Sequence, residues 1–114
     1  MTYEMDIAGL KRDLPLCRIN DDLYIGAFVM FGDVELTVHC ASELLKLAPE
    51  YDYLIAPEAK AIPLLYEMAR QSGSNKYFLA RKGVKAYMSE AFEVNVKSIT
   101  TADVQKLVLD MVFC

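Results

Sequence analysis

A strand–helix–strand signature in the middle of the chain constrains the fold most. Tyr53-Leu54-Ile55-Ala56 is a short apolar run that reads as a buried strand. Pro57-Glu58-Ala59-Lys60-Ala61 interrupts it and forms a loop. Residues 62–71 are apolar nearly all round (Ile62, Leu64, Leu65, Tyr66, Met68, Ala69), which predicts a well-buried helix. Pro63 suits the first turn of that helix, where a missing N–H is harmless, and Gly73 suits the residue just past its end. Tyr77-Phe78-Leu79-Ala80 reads as a second buried strand and stops at Arg81-Lys82-Gly83. Strand, helix and strand within about thirty residues imply two parallel strands and a right-handed crossover. Ligands in such sheets collect outside the carboxyl ends of the strands. The 57–61 loop and Arg81-Lys82 are therefore expected at one edge.

The flanks are expected to complete an α/β domain spanning residues 1–114, with helices packed in three layers on a mainly parallel sheet. Residues 3–12 and 14–19 read as two extended stretches separated at Asp13-Leu14-Pro15, because a residue before proline avoids the helical region. Leu23 to Phe31 reads as a strand that ends at Gly32-Asp33. Val34, Val38, Ala41, Leu45 and Ala48 form an apolar stripe, which predicts a helix over 34–47 with Asp33 as its cap and Pro49 as its stop. Phe92 to Ile99 alternates like a half-exposed strand, and Val104 to Phe113 is compatible with either a strand or a helix.

Composition narrows the function classes. The chain has 114 residues, of which 54% are apolar and 25% charged, so a folded core is expected. The net charge of −4 argues against nucleic-acid binding through bulk positive charge. No apolar run reaches the roughly 18 residues of a membrane span. Three scattered cysteines (Cys17, Cys40, Cys114) do not make a disulfide framework or a metal motif and point to a reducing, cytoplasmic setting. A single histidine, His39, excludes most histidine triads and multi-histidine metal sites.

Within this acidic chain, Lys60, Arg81, Lys82 and Lys85 should converge on one strand-end crevice. The start of the 62–71 helix should add partial positive charge there, which would make a phosphate or pyrophosphate site. Spacing alone fits solvated surface cations equally well. Glu58 lies at the same edge, where it can face a ligand or bind backbone amides, and Tyr87 is close enough to stack on a ligand. His39 and Cys40 are helix neighbours that do not face each other. Asp21-Asp22 reads as a turn, and Cys17 and Cys40 as small core residues.

The two segments 51–63 and 77–85 resemble the type I phosphoribosyltransferases, the adenine and xanthine enzymes in particular. The likeness lies in an apolar strand, a loop with a small or basic residue, an apolar helix, a second strand and then Arg-Lys, and it covers residues 34–109 in element order. It implies transfer of ribose 5-phosphate from phosphoribosyl diphosphate to a purine base, with release of pyrophosphate. Magnesium would accompany the diphosphate, and the protein would be a homodimer. Glu58, Ala59 and Lys60 would then belong to the pyrophosphate loop, and Arg81, Lys82 and Lys85 would meet the diphosphate. The segment from Glu90 to Asp110 resembles the part that closes over the site. The family's acidic pair followed by a Thr/Gly-rich phosphate loop has no counterpart here, so the chain reads as the N-terminal portion of such a domain, with little activity of its own. The alternative is a non-catalytic sensor of phosphoribosyl diphosphate.

Overall fold

A computed structural model describes residues 1–88, 90–97 and 104–110. The chain opens with an antiparallel meander of β1 (Thr2–Ile7), β2 (Leu10–Asn20) and β3 (Leu23–Gly26). The first hairpin turns on Ala8 and Gly9, with φ of 53° and 84°. Positive φ at both loop residues matches the right-handed twist of the strands they join. The Asp6 carboxylate accepts the Gly9 N–H at 3.0 Å and fixes the turn. Asp21 and Asp22 form the second turn, as expected.

The break therefore falls at Ala8-Gly9 rather than at Asp13-Leu14-Pro15, which lies inside β2. Pro15 is tolerated because its carbonyl faces Ala27, whose N–H it accepts at 2.8 Å, beyond the end of β3. The N–H that proline lacks falls where the ladder has already ended. The strand expected over Leu23–Phe31 stops at Gly26, because its partner ladder ends at Leu16.

Helix α1 (Val34–Leu47) has the expected bounds. Asp33 caps it, accepting the Leu36 N–H at 3.0 Å, and also holds the Arg12 guanidinium of β2, with Nε at 2.7 Å and Nη2 at 3.1 Å. Arg12, then the Leu36 N–H, keep the Asp33 carboxyl below its ordinary range.

β4 (Ile55–Pro57), α2 (Ile62–Ser72) and β5 (Phe78–Ala80) form the strand–helix–strand unit. The strands are parallel, with Ile55, Ala56 and Pro57 opposite Phe78, Leu79 and Ala80. Gly73 takes the left-handed conformation that closes α2, with φ 74°. β6 (Ala91–Lys97) and β7 (Val104–Asp110) form an antiparallel hairpin, so the ambiguous C-terminal run is a strand as far as Asp110. Ser98, Ile99 and residues 111–114, including Cys114, lie outside the described residues. Arg81 and Val108 exchange backbone hydrogen bonds of 2.7 and 2.6 Å and join this hairpin to the end of β5.

This architecture overturns the mainly parallel sheet with flanking helices. The strands form two antiparallel sheets and one parallel pair. The two-residue connections at 8–9 and 21–22 can join only antiparallel neighbours, and α2 provides the single helical crossover among the described strands. The three layers are absent as well, since α1 and α2 pack against each other. Among the described residues, the buried apolar ones are Leu14, Leu36, Cys40, Ala41, Leu65, Ala69, Phe78 and Val108. Tyr53 and Ile55 of the expected buried strand are 60% and 57% exposed, because β4 has a neighbour on only one side. Tyr66 and Pro63 of α2 are exposed, so that helix is buried along one face rather than all round. The radius of gyration, 16.7 Å, exceeds the roughly 13 Å of a compact chain of this length. No described helix is long and apolar enough to cross a membrane.

Glu67 ties the two helices together. Its carboxylate, nearly buried, receives Arg70 Nε at 2.8 Å and Nη2 at 2.7 Å, and Gln71 Nε2 at 2.7 Å. The same Gln71 amide donates to the Val38 carbonyl of α1 at 3.0 Å. Arg70, then Gln71, hold the Glu67 carboxyl at about 2, against an ordinary value of 4.5. A depressed carboxyl stabilises the fold fully above 4.5, and that contribution disappears as pH falls through 2. The melting temperature should therefore fall across this acid window. Glu67→Gln should make the fall shallower while lowering the melting temperature at neutral pH. An unchanged acid profile in the variant would show that Glu67 has no such role.

Candidate anion-binding edge

The parallel register Pro57↔Ala80 brings the residues after β4 and β5 side by side. The Glu58 N–H donates to the Ala80 carbonyl at 2.9 Å and extends this pairing by one bond. The Glu58–Ala59 peptide is cis. The Glu58 carboxylate turns across the edge, where its Oε1 accepts the Lys82 N–H at 2.6 Å and stands 3.3 Å from Arg81 Nε. Between a ligand contact and an amide acceptor, the residue is thus already an amide acceptor. The Lys82 N–H, followed by Arg81 and Lys85, lowers the Glu58 carboxyl despite its partial burial.

Arg81 is shared among three neighbours. Its main chain holds Val108, its Nη1 donates to the Tyr87 hydroxyl at 2.7 Å, and its Nε is buried beside Glu58 without an aligned hydrogen bond. Tyr87 lies near the cations, as its sequence position suggested. Lys60 and Lys82 project into solvent, and Lys85 is half-buried. Among the described residues, none of these three ammonium groups forms an ion pair. The Lys85 N–H approaches the Met88 sulfur at 3.4 Å. The structure thus brings Glu58, Arg81 and the Lys82 main chain into contact. Lys60 shares the edge without touching them, and Ala59 gives its carbonyl to the Ile62 N–H at 3.2 Å.

Helix α2 adds less to the edge than its position implies. Ala61 provides no side-chain cap, the Ile62 and Leu65 N–H groups bond to the Ala59 and Ala61 carbonyls, and Pro63 has no N–H. Only the Leu64 N–H of the first turn is left to face an anion. Glu58, Lys60, Lys82 and Lys85 line none of the four cavities described. Arg81 instead lines a cavity of about 240 Å³ with Tyr87, Phe78 and Leu109.

The largest of the four, about 410 Å³, lies between the starts of α1 and α2 and is walled by Val34, Thr37, Val38, Ile62, Pro63 and Tyr66. Nothing in the sequence signals it, because its walls come from segments almost thirty residues apart. Among the described residues, no group of three or more histidine, cysteine or acidic side chains gathers to hold a metal. His39 is exposed and Cys40 buried, so they face apart on α1. Burial, then the Asp33 charge, pushes the Cys40 thiol up. Cys17 is exposed rather than in the core, since it points away from the buried side of β2. The chain matches no protein-family model and no curated protein.

The edge predicts how Glu58 titrates. A carbon-detected NMR titration should place its carboxyl below the ordinary 4.5. Arg81→Gln should move it up, though not fully to 4.5, because the Lys82 N–H remains. No movement in that variant would mean that the 3.3 Å ion pair contributes nothing in solution.

Proposed function

We propose that this edge holds the diphosphate of phosphoribosyl diphosphate. On this reading the chain serves purine-type phosphoribosyl transfer in cytoplasmic nucleotide salvage. One observation carries it: the Pro57↔Ala80 register sets the Glu58-Ala59-Lys60 loop beside Arg81-Lys82, so the Glu58 carboxylate meets the Arg81 guanidinium and the Lys82 N–H, with Lys60 and Lys85 close by in the chain. During transfer, negative charge develops on the departing diphosphate. Lys60, Lys82 and Lys85 would stabilise it as point charges, and Arg81 through directed N–H groups. Magnesium belongs to the substrate in this scheme. Glu58, the carboxylate at the edge, accepts the Lys82 N–H in the free protein.

The sequence has no acidic pair followed by a Thr/Gly-rich loop to cradle the 5-phosphate. Two or three charge-assisted hydrogen bonds of roughly 1.5–3 kcal/mol each are therefore missing. The chain alone should bind pyrophosphate yet turn over adenine, guanine or xanthine at least about a thousandfold more slowly than an intact enzyme. Isothermal titration with magnesium pyrophosphate, paired with a steady-state transfer assay, tests both halves. Absence of binding would sink the proposal. Ordinary turnover would mean that the phosphate site has been misread, and binding without turnover is also what a sensor of the diphosphate sugar would show.

We further propose self-association. Ile19, Leu23, Tyr24, Phe28 and Val29 leave much apolar surface in water around the open edge of β3, and Tyr3 does so on β1 at the other side of the sheet. Light scattering should show a dimer or larger assembly, and a stable monomer at high concentration would refute this.

A further inference from the structure

Glu58 occupies the place at this edge that a phosphate oxygen would take. Its Oε1 stands where the Lys82 N–H, at 2.6 Å, and the Arg81 Nε, at 3.3 Å, both converge. A main-chain N–H beside a guanidinium is what an anionic oxygen seeks. The two side chains keep partial access to water, with Arg81 30% and Glu58 17% exposed. The grip is also incomplete. Arg81 Nε is buried without an aligned hydrogen bond, and Nη1 is spent on the neutral Tyr87 hydroxyl. A bidentate arginine–carboxylate pair would use these donors better. The Glu58 main chain is pinned to Ala80 by its 2.9 Å hydrogen bond, so the carboxylate can leave by side-chain rotation without moving β4.

We infer that Glu58 is a built-in competitor for the anion at this edge: its carboxylate holds Lys82 and Arg81 in the free protein and must rotate away when a diphosphate binds. The inference rests on the diphosphate-holding role proposed above and adds a residue that sets the affinity of that site. The competitor weakens binding by neutralising Arg81 and by placing a negative charge beside the incoming one. It also keeps the buried guanidinium nitrogen facing an acceptor when no ligand is present.

Glu58→Gln tests this, because the amide keeps the shape and an acceptor for the Lys82 N–H while removing the charge. Titration calorimetry with inorganic pyrophosphate at low salt should show binding about three- to tenfold tighter than in the native chain, in line with one partly exposed charge interaction. The gain should shrink at high salt, which a purely structural role of Glu58 would not require. Arg81→Gln should weaken binding more in the Glu58→Gln background than in the native one, because only there is the guanidinium free for the ligand. Glu58→Ala serves as a second variant, and circular dichroism melting confirms that each protein is folded. Equal or weaker binding in the folded Glu58 variants overturns the competition while leaving the diphosphate role standing. No pyrophosphate binding by the native chain or by any variant overturns the diphosphate role and the competition with it.

Discussion

The hold of Arg12 on Asp33 is the interaction on which the N-terminal half depends. Asp33 starts α1 by accepting the Leu36 N–H, and its carbonyl receives the Thr37 hydroxyl at 2.8 Å. The same carboxylate receives two N–H groups from Arg12, which also reaches Glu35 at 3.0 Å. A negative group at a helix start is favourable in itself, and here it also fastens the helix to the middle strand of the meander. Leu14 and Leu36, both buried, line one cavity beside this ion pair, between β2 and α1. The polar clasp of Arg12 on Asp33 and Glu35 thereby fastens the helix to the sheet.

The second half is built the same way. The Glu67–Arg70–Gln71 cluster links α2 to α1, and the Arg81–Val108 bridge links the parallel pair to the last hairpin. The α1–α2 junction also carries most of the buried apolar side chains (Leu36, Cys40, Ala41, Leu65 and Ala69), whereas the other links are mainly polar, and the molecule measures 48 × 37 × 24 Å.

The parts legible in the sequence are those fixed by local rules. Asp33 and Pro49 bracket α1, Gly73 closes α2, and the crossover length makes β4 and β5 parallel. The first hairpin was harder to see because Ala8 takes a positive φ that alanine seldom adopts, while Pro15 resembles a stop and sits inside a strand. The parallel β4–β5 pair does not extend to the other described strands, which pair antiparallel. At the candidate edge, the meeting of the 57–61 loop with Arg81-Lys82 follows from strand polarity. The role of Glu58 does not, because its partners are an amide twenty-four residues away and a guanidinium beside it. Pro63 marks the start of α2 and at the same time removes a donor from the anion site that start would otherwise offer.

Arg81 carries a mechanical consequence. Its main chain is the bridge that connects the last hairpin to β5, while its side chain lies against Glu58. A shift of the backbone at residue 81 is therefore felt in two places at once, in the seating of the hairpin against β5 and in the approach of the guanidinium to Glu58.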